Sequence, residues 1–352
     1  MKVVLLAPVP PPSGGIASWT VRMMGASLKN NWKVIVVNER AIGGRTNFGS
    51  TAKKRFVIEI IRCFKIWTEL VKTLHKNKDA RIVQACVPAG TTSLMRELIS
   101  CFITHLYGRK FIMHFRCTIP NMVKSNLNKK IFKWIINVSD CNFVLNKQSA
   151  CFMKACSSKA NFRIIPNFVN IDELEERKDV RDQIHTVLYV GGVIPEKGCE
   201  QIISVAKKVP TIEFRLVGKI GLNVLNVPEN VVLCGELSKQ EVQKELKKAD
   251  VFLFLSYFWG EGFSNALAEA MANSLPCIVS DWAANADMIG EDGGIVIDSK
   301  DDQEVIRALE KLQPASIRKE MGEKNREKVK KYYLQEVITE QYVNVYEELL
   351  NI

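Results

Sequence analysis

The chain has 352 residues, room for two domains that each bury a core, and its 47% apolar and 25% charged content excludes a disordered or fibrous protein. Lysine and arginine exceed aspartate and glutamate by 49 to 38, a formal charge of +11 that suits anionic substrates, an anionic membrane surface or nucleic acid. No nucleic-acid motif accompanies the charge, so that partner is set aside, and no apolar run reaches the ~18 residues of a membrane span.

The ten cysteines are scattered singly, without a C-x-x-C pair or histidines at zinc spacing, so a reduced, cytosolic chain with no metal site is expected.

Lys2 to Ala7 is a buried-strand pattern, too short for a signal peptide. Prolines, Ser13 and the pair Gly14-Gly15 follow, and helical periodicity runs from Ile16 to Leu28. A Gly-Gly turn there lets a ligand meet the helix start, although the G-x-G-x-x-G spacing of a dinucleotide site is missing and a plain turn also fits. Lys53, Lys54, Arg55, Arg62, Lys65, Lys72 and Lys76 then form a basic stretch with Phe56, Phe64 and Trp67. Lys124, Lys129, Lys130 and Lys133 form another, with Phe132 and Trp134. Both resemble interfacial helices that touch acidic lipid, and both also fit helices with apolar residues in the core and lysines in water.

Strand-length runs at Val34 to Val37, Ile82 to Ala85, Phe111 to His114, Phe143 to Leu145 and Phe162 to Ile165 alternate with helical stretches, the mark of a parallel sheet. Ligands in such sheets sit beyond the carboxyl ends of the strands, where Gly14, Gly15 and His114-Phe115-Arg116-Cys117 fall. His75, His105 and His185 have no evident partners. The charged stretch from Ile171 to Arg181, after Pro166-Asn167-Phe168-Val169-Asn170, reads as a linker.

A second series of strands follows, opening with the strand and Gly-Gly turn of His185-Thr186-Val187-Leu188-Tyr189-Val190-Gly191-Gly192-Val193-Ile194-Pro195-Glu196-Lys197-Gly198, then Ile212 to Val217, Val231 to Cys234 and Val251 to Leu255. The chain is organised around the next stretch, Gly260-Glu261-Gly262-Phe263-Ser264-Asn265, running on through Glu269 to Ala272. Glycines beside Glu261 allow a tight turn, and Ser264 or Asn265 caps a helix whose free amides and dipole suit a phosphate without a metal. Carboxylates beside a phosphate are unfavourable unless they accept hydrogen bonds from neutral hydroxyls, which sugars supply at about 1.5 to 3 kcal/mol each. An amphipathic helix with a solvated glutamate at each end fits the same spacing.

The stretch resembles the E-x7-E signature of the retaining, GT-B-fold glycosyltransferases of family 4, among the group 1 glycosyltransferases. That resemblance implies that Glu269 holds the ribose of a nucleotide sugar, that the amides of Gly262, Phe263, Ser264 and Asn265 meet its diphosphate, and that Glu261 contacts the transferred sugar. It places Gly14 and Gly15 under the donor. Gly191, Gly192 and Lys197 resemble "FVGRLxPEKG", where an Arg and a Lys neutralise the diphosphate; Lys197 matches, but Gly192 stands at the Arg. Cys234-Gly235-Glu236-Leu237 resembles the "LGEL" turn near the nucleobase, so Leu237 is a donor contact. Arg116 takes the place of a catalytic-site His, with His114 expected to point to the other face. As a permanent cation Arg116 would pair with phosphate or an acidic acceptor, not act as a base. Asp281 to Asp287 stands for the "DVGGIPE" loop with alanines for glycines, which puts that loop's geometry in question.

The expected fold is therefore α/β of the GT-B type, two Rossmann-like domains facing across a cleft. Residues 1–167 would bind the acceptor, 168–335 the nucleotide sugar, and the helix 336–352 would return to the first domain. The implied activity is retaining, metal-independent transfer of a hexosyl or N-acetylhexosaminyl group, with Glu261, Lys197 and Arg116 catalytic and no cofactor beyond the nucleotide-diphosphate sugar. A saccharide or lipid-linked acceptor in cell-surface polysaccharide synthesis, and contact of a cytoplasmic protein with the inner membrane face, complete the expectation. The alternatives are a GT-B-fold sugar-nucleotide epimerase or phosphorylase and a non-catalytic nucleotide-sugar binder.

Overall fold

The structure, a computed structural model, describes residues 1–11, 14–40, 52–176, 179–222, 227–298 and 300–351, with the side chains of 52–56 outside the description. The chain divides into two compact units, residues 1–166 with 338–352, and residues 167–337.

The first unit carries strands β1 (Lys2–Ala7), β2 (Lys33–Asn38), β3 (Ala80–Val87), β4 (Lys110–Phe115), β5 (Cys141–Val144) and β6 (Phe162–Ile164). Its helices are α1 (Gly15–Gly25), α2 (Ala52–Lys76), α3 (Thr91–Leu106), α4 (Ile119–Met122), α5 (Asn126–Val138) and α6 (Lys147–Cys156). The second unit carries β7 (Thr186–Val190), β8 (Glu213–Val217), β9 (Val231–Gly235), β10 (Val251–Phe254), β11 (Cys277–Ser280) and β12 (Gly294–Ile297). Around them lie α7 (Cys199–Lys208), α8 (Lys239–Lys248), α9 (Asn265–Ala272), α10 (Asn285–Ile289), α11 (Asp302–Lys311) and α12 (Ala315–Tyr332), and the last helix is α13 (Gln335–Leu350).

Each unit is one six-stranded sheet, ordered β2-β1-β3-β4-β5-β6 in the first and β12-β11-β10-β7-β8-β9 in the second, and every recorded strand pair is parallel. Helices cover both faces of such sheets, which is why β1 reads as an unbroken apolar run whose residues from Val3 to Ala7 are wholly buried. Strand order reverses between β1 and β3 and again between β7 and β10, so each sheet opens a crevice at the carboxyl ends of those strands. In the first unit α13 closes against the sheet: the Tyr346 hydroxyl donates to Gln84 Oε1 at 2.6 Å, and Tyr342 meets Trp19 edge-on at 6.1 Å.

Three sequence expectations change here. The stretch after Asn170 is no free tether. Glu173, buried, pairs with Lys239 at 2.6 Å, and Ser274 Oγ donates to the Glu175 carbonyl at 2.7 Å, so its charges hold it to the second unit. In the basic helices, Phe132 lies fully buried in the first unit's core, while Phe64 and Trp134 stay exposed. The side chains of Lys53, Lys54, Arg55 and Phe56 lie outside the described residues. His105, finally, has a partner: its Nε2 is 2.8 Å from Asp140 Oδ2, and the same carboxylate accepts the Phe111 amide.

Candidate active site

The crevice between β7 and β10 gathers most of the residues singled out in the second half of the chain. Beyond β7, Pro195–Lys197 form a single 3-10 turn closed by Gly198 in the left-handed region, φ 74°. No other residue fits there. A Cβ at Gly198 would stand 2.3 Å from the Leu255 carbonyl oxygen, so only bare backbone lets this loop lie against the segment leaving β10. The Tyr257 amide donates to the Glu196 carbonyl at 2.9 Å and fixes the approach.

That approach sets Lys197 Nζ 3.2 Å from Glu261 Oε2. The two side chains are only 20% and 12% exposed, and the ammonium also lies 5.5 Å from the Phe258 ring centroid. A shielded cation beside a shielded carboxylate can pass from one partner to another when an anion arrives.

The helix after the loop starts as its sequence requires. Ser264 is the N-cap of α9 and its hydroxyl accepts the Leu267 amide at 3.2 Å, while the Ala268 amide donates to the Ser264 carbonyl at 3.1 Å. Asn265 and Ala266, in the first turn, have no intrahelical acceptor for their amides. Glu269, half-buried, follows one turn on. The Glu261 amide closes a turn onto the Phe258 carbonyl at 3.0 Å. Gly260 does not use the left-handed region, so the expected reason for a glycine there is not the operative one; a Cβ would meet the Phe258 ring at 2.7 Å.

Several contributors carried no signal in the sequence. Asn167, buried, donates from Nδ2 to the Phe263 carbonyl at 3.2 Å and to Asn265 Oδ1 at 2.8 Å, bracing the turn before α9 from 96 positions upstream. The Tyr189 hydroxyl, its pKa driven up by burial and so protonated, donates to the Gly192 carbonyl at 2.8 Å. Gly218 ends β8 at φ 144°, and a Cβ there would overlap the Gly191 carbonyl oxygen at 1.8 Å. Gly191 and Gly192 are thus held from both sides. Leu237 follows β9, two strands along the same edge, and lines an open depression of about 400 Å³ with Arg215, Cys234 and Glu241.

The loop Asp281 to Asp287 keeps a glycine-like backbone without glycine. Ala283 sits at φ 55°, and the Trp282 indole donates to the Phe258 carbonyl at 2.8 Å, so this loop touches the one that carries Glu261.

In the first unit Gly14 is extended and Gly15 opens α1, with empty space where its Cβ would be. Arg116, 7% exposed, lays its guanidinium 4.3 Å from the Trp19 ring centroid, and its Nη1 donates to His114 Nε2 at 3.0 Å. The expectation that His114 points to the other face is wrong: residues two apart on an extended chain share a face. The other ring nitrogen, Nδ1, lies 3.0 Å from Gln84 Nε2, whose side-chain oxygen accepts from Tyr346. Burial, and then the Arg116 charge, hold the His114 pKa well below its usual value, and the ring stays neutral. Among the described residues no group of three or more His, Cys, Asp or Glu is arranged to hold a metal ion.

The switch point of the second sheet thus combines a cation, an acid, a capped helix start and glycine-ended strands. Residues 170–331, nearly the whole second unit, match the family described as Glycosyl transferases group 1. The fold is that of GT-B glycosyltransferases. The chain aligns with sucrose-phosphate synthase from Thermosynechococcus elongatus at a TM-score of 0.78 and 16% identity, covering 99% of both chains. With Anabaena Alr3699/HepE, solved in complex with UDP, the TM-score is 0.76 at 12% identity, over 99% of this chain and 100% of that one. An E. coli structure described as trehalose-6-phosphate bound with UDP-2-fluoro glucose gives 0.72 at 10% identity over 99% of each. At these identities the likeness is one of fold. No curated protein matches the chain in sequence.

Proposed function

We propose that this protein is a retaining glycosyltransferase that moves a hexosyl or N-acetylhexosaminyl group from a nucleotide-diphosphate sugar to a saccharide or lipid-linked saccharide, in the assembly of cell-surface polysaccharide. The observation that carries the reading is the approach of Lys197 to Glu261 beside the open amides of α9. In this reading Glu269 takes the ribose, the amides from Gly262 to Asn265 and Lys197 take the diphosphate, and Leu237 borders the base. Glu261 gives up Lys197 to the phosphate and accepts the hydroxyls of the transferred sugar.

The leaving diphosphate's charge is then borne by Lys197, the amides and the helix dipole, so transfer should proceed in the presence of a chelator. By the same resemblance Gly14 and Gly15 would lie under the donor, and Arg116, at the place of the family's His, would pair with a phosphate or an acidic acceptor. The solved relative that binds UDP supports uridine as the base. Ten unpaired cysteines fit a reducing cytoplasm, where such donors are used.

The test is a thermal-shift screen of nucleotide sugars, then incubation of the best donor with an acceptor panel and NMR of the product anomer. Transfer with the donor's anomeric configuration is expected, and loss of it in Lys197→Ala and Glu269→Ala without loss of fold. An epimerised nucleotide sugar formed without acceptor, or binding with no turnover across the panel, would refute the assignment.

A further inference from the structure

On α3 of the first unit, buried charged groups share the inward face with Leu94 and Cys101 while an apolar stripe faces out. Along α3 the ionised side chains Arg96 and Glu97 point inward, both buried, with Arg96 Nε donating to Glu97 Oε1 at 2.6 Å and its Nη2 to Glu39 Oε2 at 3.0 Å. Outward stand Met95, Ile99, Phe102 and Leu106, spaced four, three and four apart, and the last two are 65% and 70% exposed. A helix at a water boundary has the reverse pattern.

The neighbours extend this surface. Both α2 and α5 pack on α3, and α2 adds Ile61 and Phe64 while α5 adds Leu127 and Trp134, all exposed. Around Trp134 stand the exposed Lys129, Lys130 and Lys133, and α5 contains no acidic residue. Large apolar side chains exposed at helical spacing along α3, with more on the two helices packed beside it, mark a contact site.

We infer that this face of α2, α3 and α5 lies against a lipid bilayer bearing anionic headgroups, with the α3 stripe and Trp134 in the headgroup boundary and the α5 lysines on the phosphates. Charge selects this occupant. A second copy docking by the same face would bring Lys129, Lys130 and Lys133 against their own equivalents or leave them unpaired, whereas acidic lipid satisfies them. Aromatic residues with a polar edge and lysines with long stems suit that boundary. This contact is independent of the donor site, and its test contains no nucleotide.

The full chain is sedimented with phosphatidylcholine vesicles with and without phosphatidylglycerol, at low and moderate salt. Binding is expected only with phosphatidylglycerol, with a blue shift of the emission that Trp134→Phe removes. Replacing Lys129, Lys130 and Lys133 by Gln should weaken partitioning about a hundredfold, about fivefold for each cation. The polar variant Ile99→Ser, Phe102→Ser, Leu106→Ser should abolish it, with the unfolding midpoint of both variants unchanged because the residues are exposed. Absence of binding to phosphatidylglycerol vesicles, or equal binding by the polar variant, would overturn the inference. So would a wild-type dimer that the polar variant dissociates while neither protein binds vesicles, which would assign the face to a second copy.

Discussion

Replacing Glu261 by Gln should raise the affinity for UDP more than that for UDP-glucose. Its carboxylate is 3.2 Å from Lys197 Nζ in a site where both side chains are largely shielded. A diphosphate oxygen that takes Lys197 at about 2.8 Å comes to rest roughly 5 to 6 Å from that carboxylate. At an effective dielectric of about 20, two like charges at that separation repel by about 3 kcal/mol, which partial exposure and salt reduce to about 1 to 2 kcal/mol. Gln removes the repulsion and frees Lys197, so bare UDP should bind the variant five- to thirtyfold more tightly, by about 1.4 kcal/mol per decade. UDP-glucose offers hydroxyls to the same group, and a charge-assisted bond exceeds a neutral one by about 1 to 2 kcal/mol. Its affinity should therefore gain little or fall, and its advantage over UDP should shrink about five- to thirtyfold. Titration calorimetry of both ligands against both proteins measures this. Equal changes for the two ligands would refute a sugar-facing Glu261.

Other outcomes follow from single positions. Gly192 has open space where a Cβ would go, so Gly192→Arg should fold normally and tighten UDP binding about tenfold by supplying a second cation; unchanged affinity would place the diphosphate elsewhere. Ala283→Gly should raise stability by about 0.5 to 1 kcal/mol, since a left-handed alanine at φ 55° costs about 1 to 2 kcal/mol and glycine returns part of that in chain entropy, and a lower melting midpoint would show that its methyl is needed. Burial, and then the neighbouring Glu97 charge, push the Glu39 pKa up to about 8 against the pull of Arg96. A carboxyl raised in the folded state gives full stability below its unfolded value and loses it as pH climbs toward 8, so the first unit should weaken by a few kcal/mol over that window. Glu39→Gln should flatten the slope in melting experiments across pH, and an unchanged slope would refute the assignment.

The strands of both sheets were legible because buried parallel strands need no alternation, and runs such as Val3 to Ala7 or Val251 to Phe254 show plainly among charged helices. The local parts of the site were legible for a similar reason. Lys197 beside Gly198 and the Ser264 cap state their backbone requirements within a few residues. Asn167 and Tyr189 did not, because a buried hydrogen bond to a distant carbonyl leaves no spacing to read. The outward apolar stripe of α3 was missed because apolar periodicity reports that a helix has a stripe, not which way the stripe turns. Only the placement of Arg96 against Glu39 decides it.

The two departures from the family wording around the donor differ in kind, and the difference bears on function. Ala283, where the family wording has glycine, holds a left-handed conformation that strains alanine, which happens only when surrounding contacts over-determine it. The Trp282 indole bond to the Phe258 carbonyl, three positions before Glu261, is such a contact. At Gly192 the backbone is again held, by the Tyr189 hydroxyl, but a charge is missing. In the proposed donor site, geometry around Glu261 and Lys197 is thus held at an energetic cost while one cation that the resemblance implies is absent. Such a site should keep its specificity for the ligand's shape and lose affinity for its diphosphate, so the Michaelis constant for the donor, more than the fold or the choice of sugar, should register the absence of the arginine.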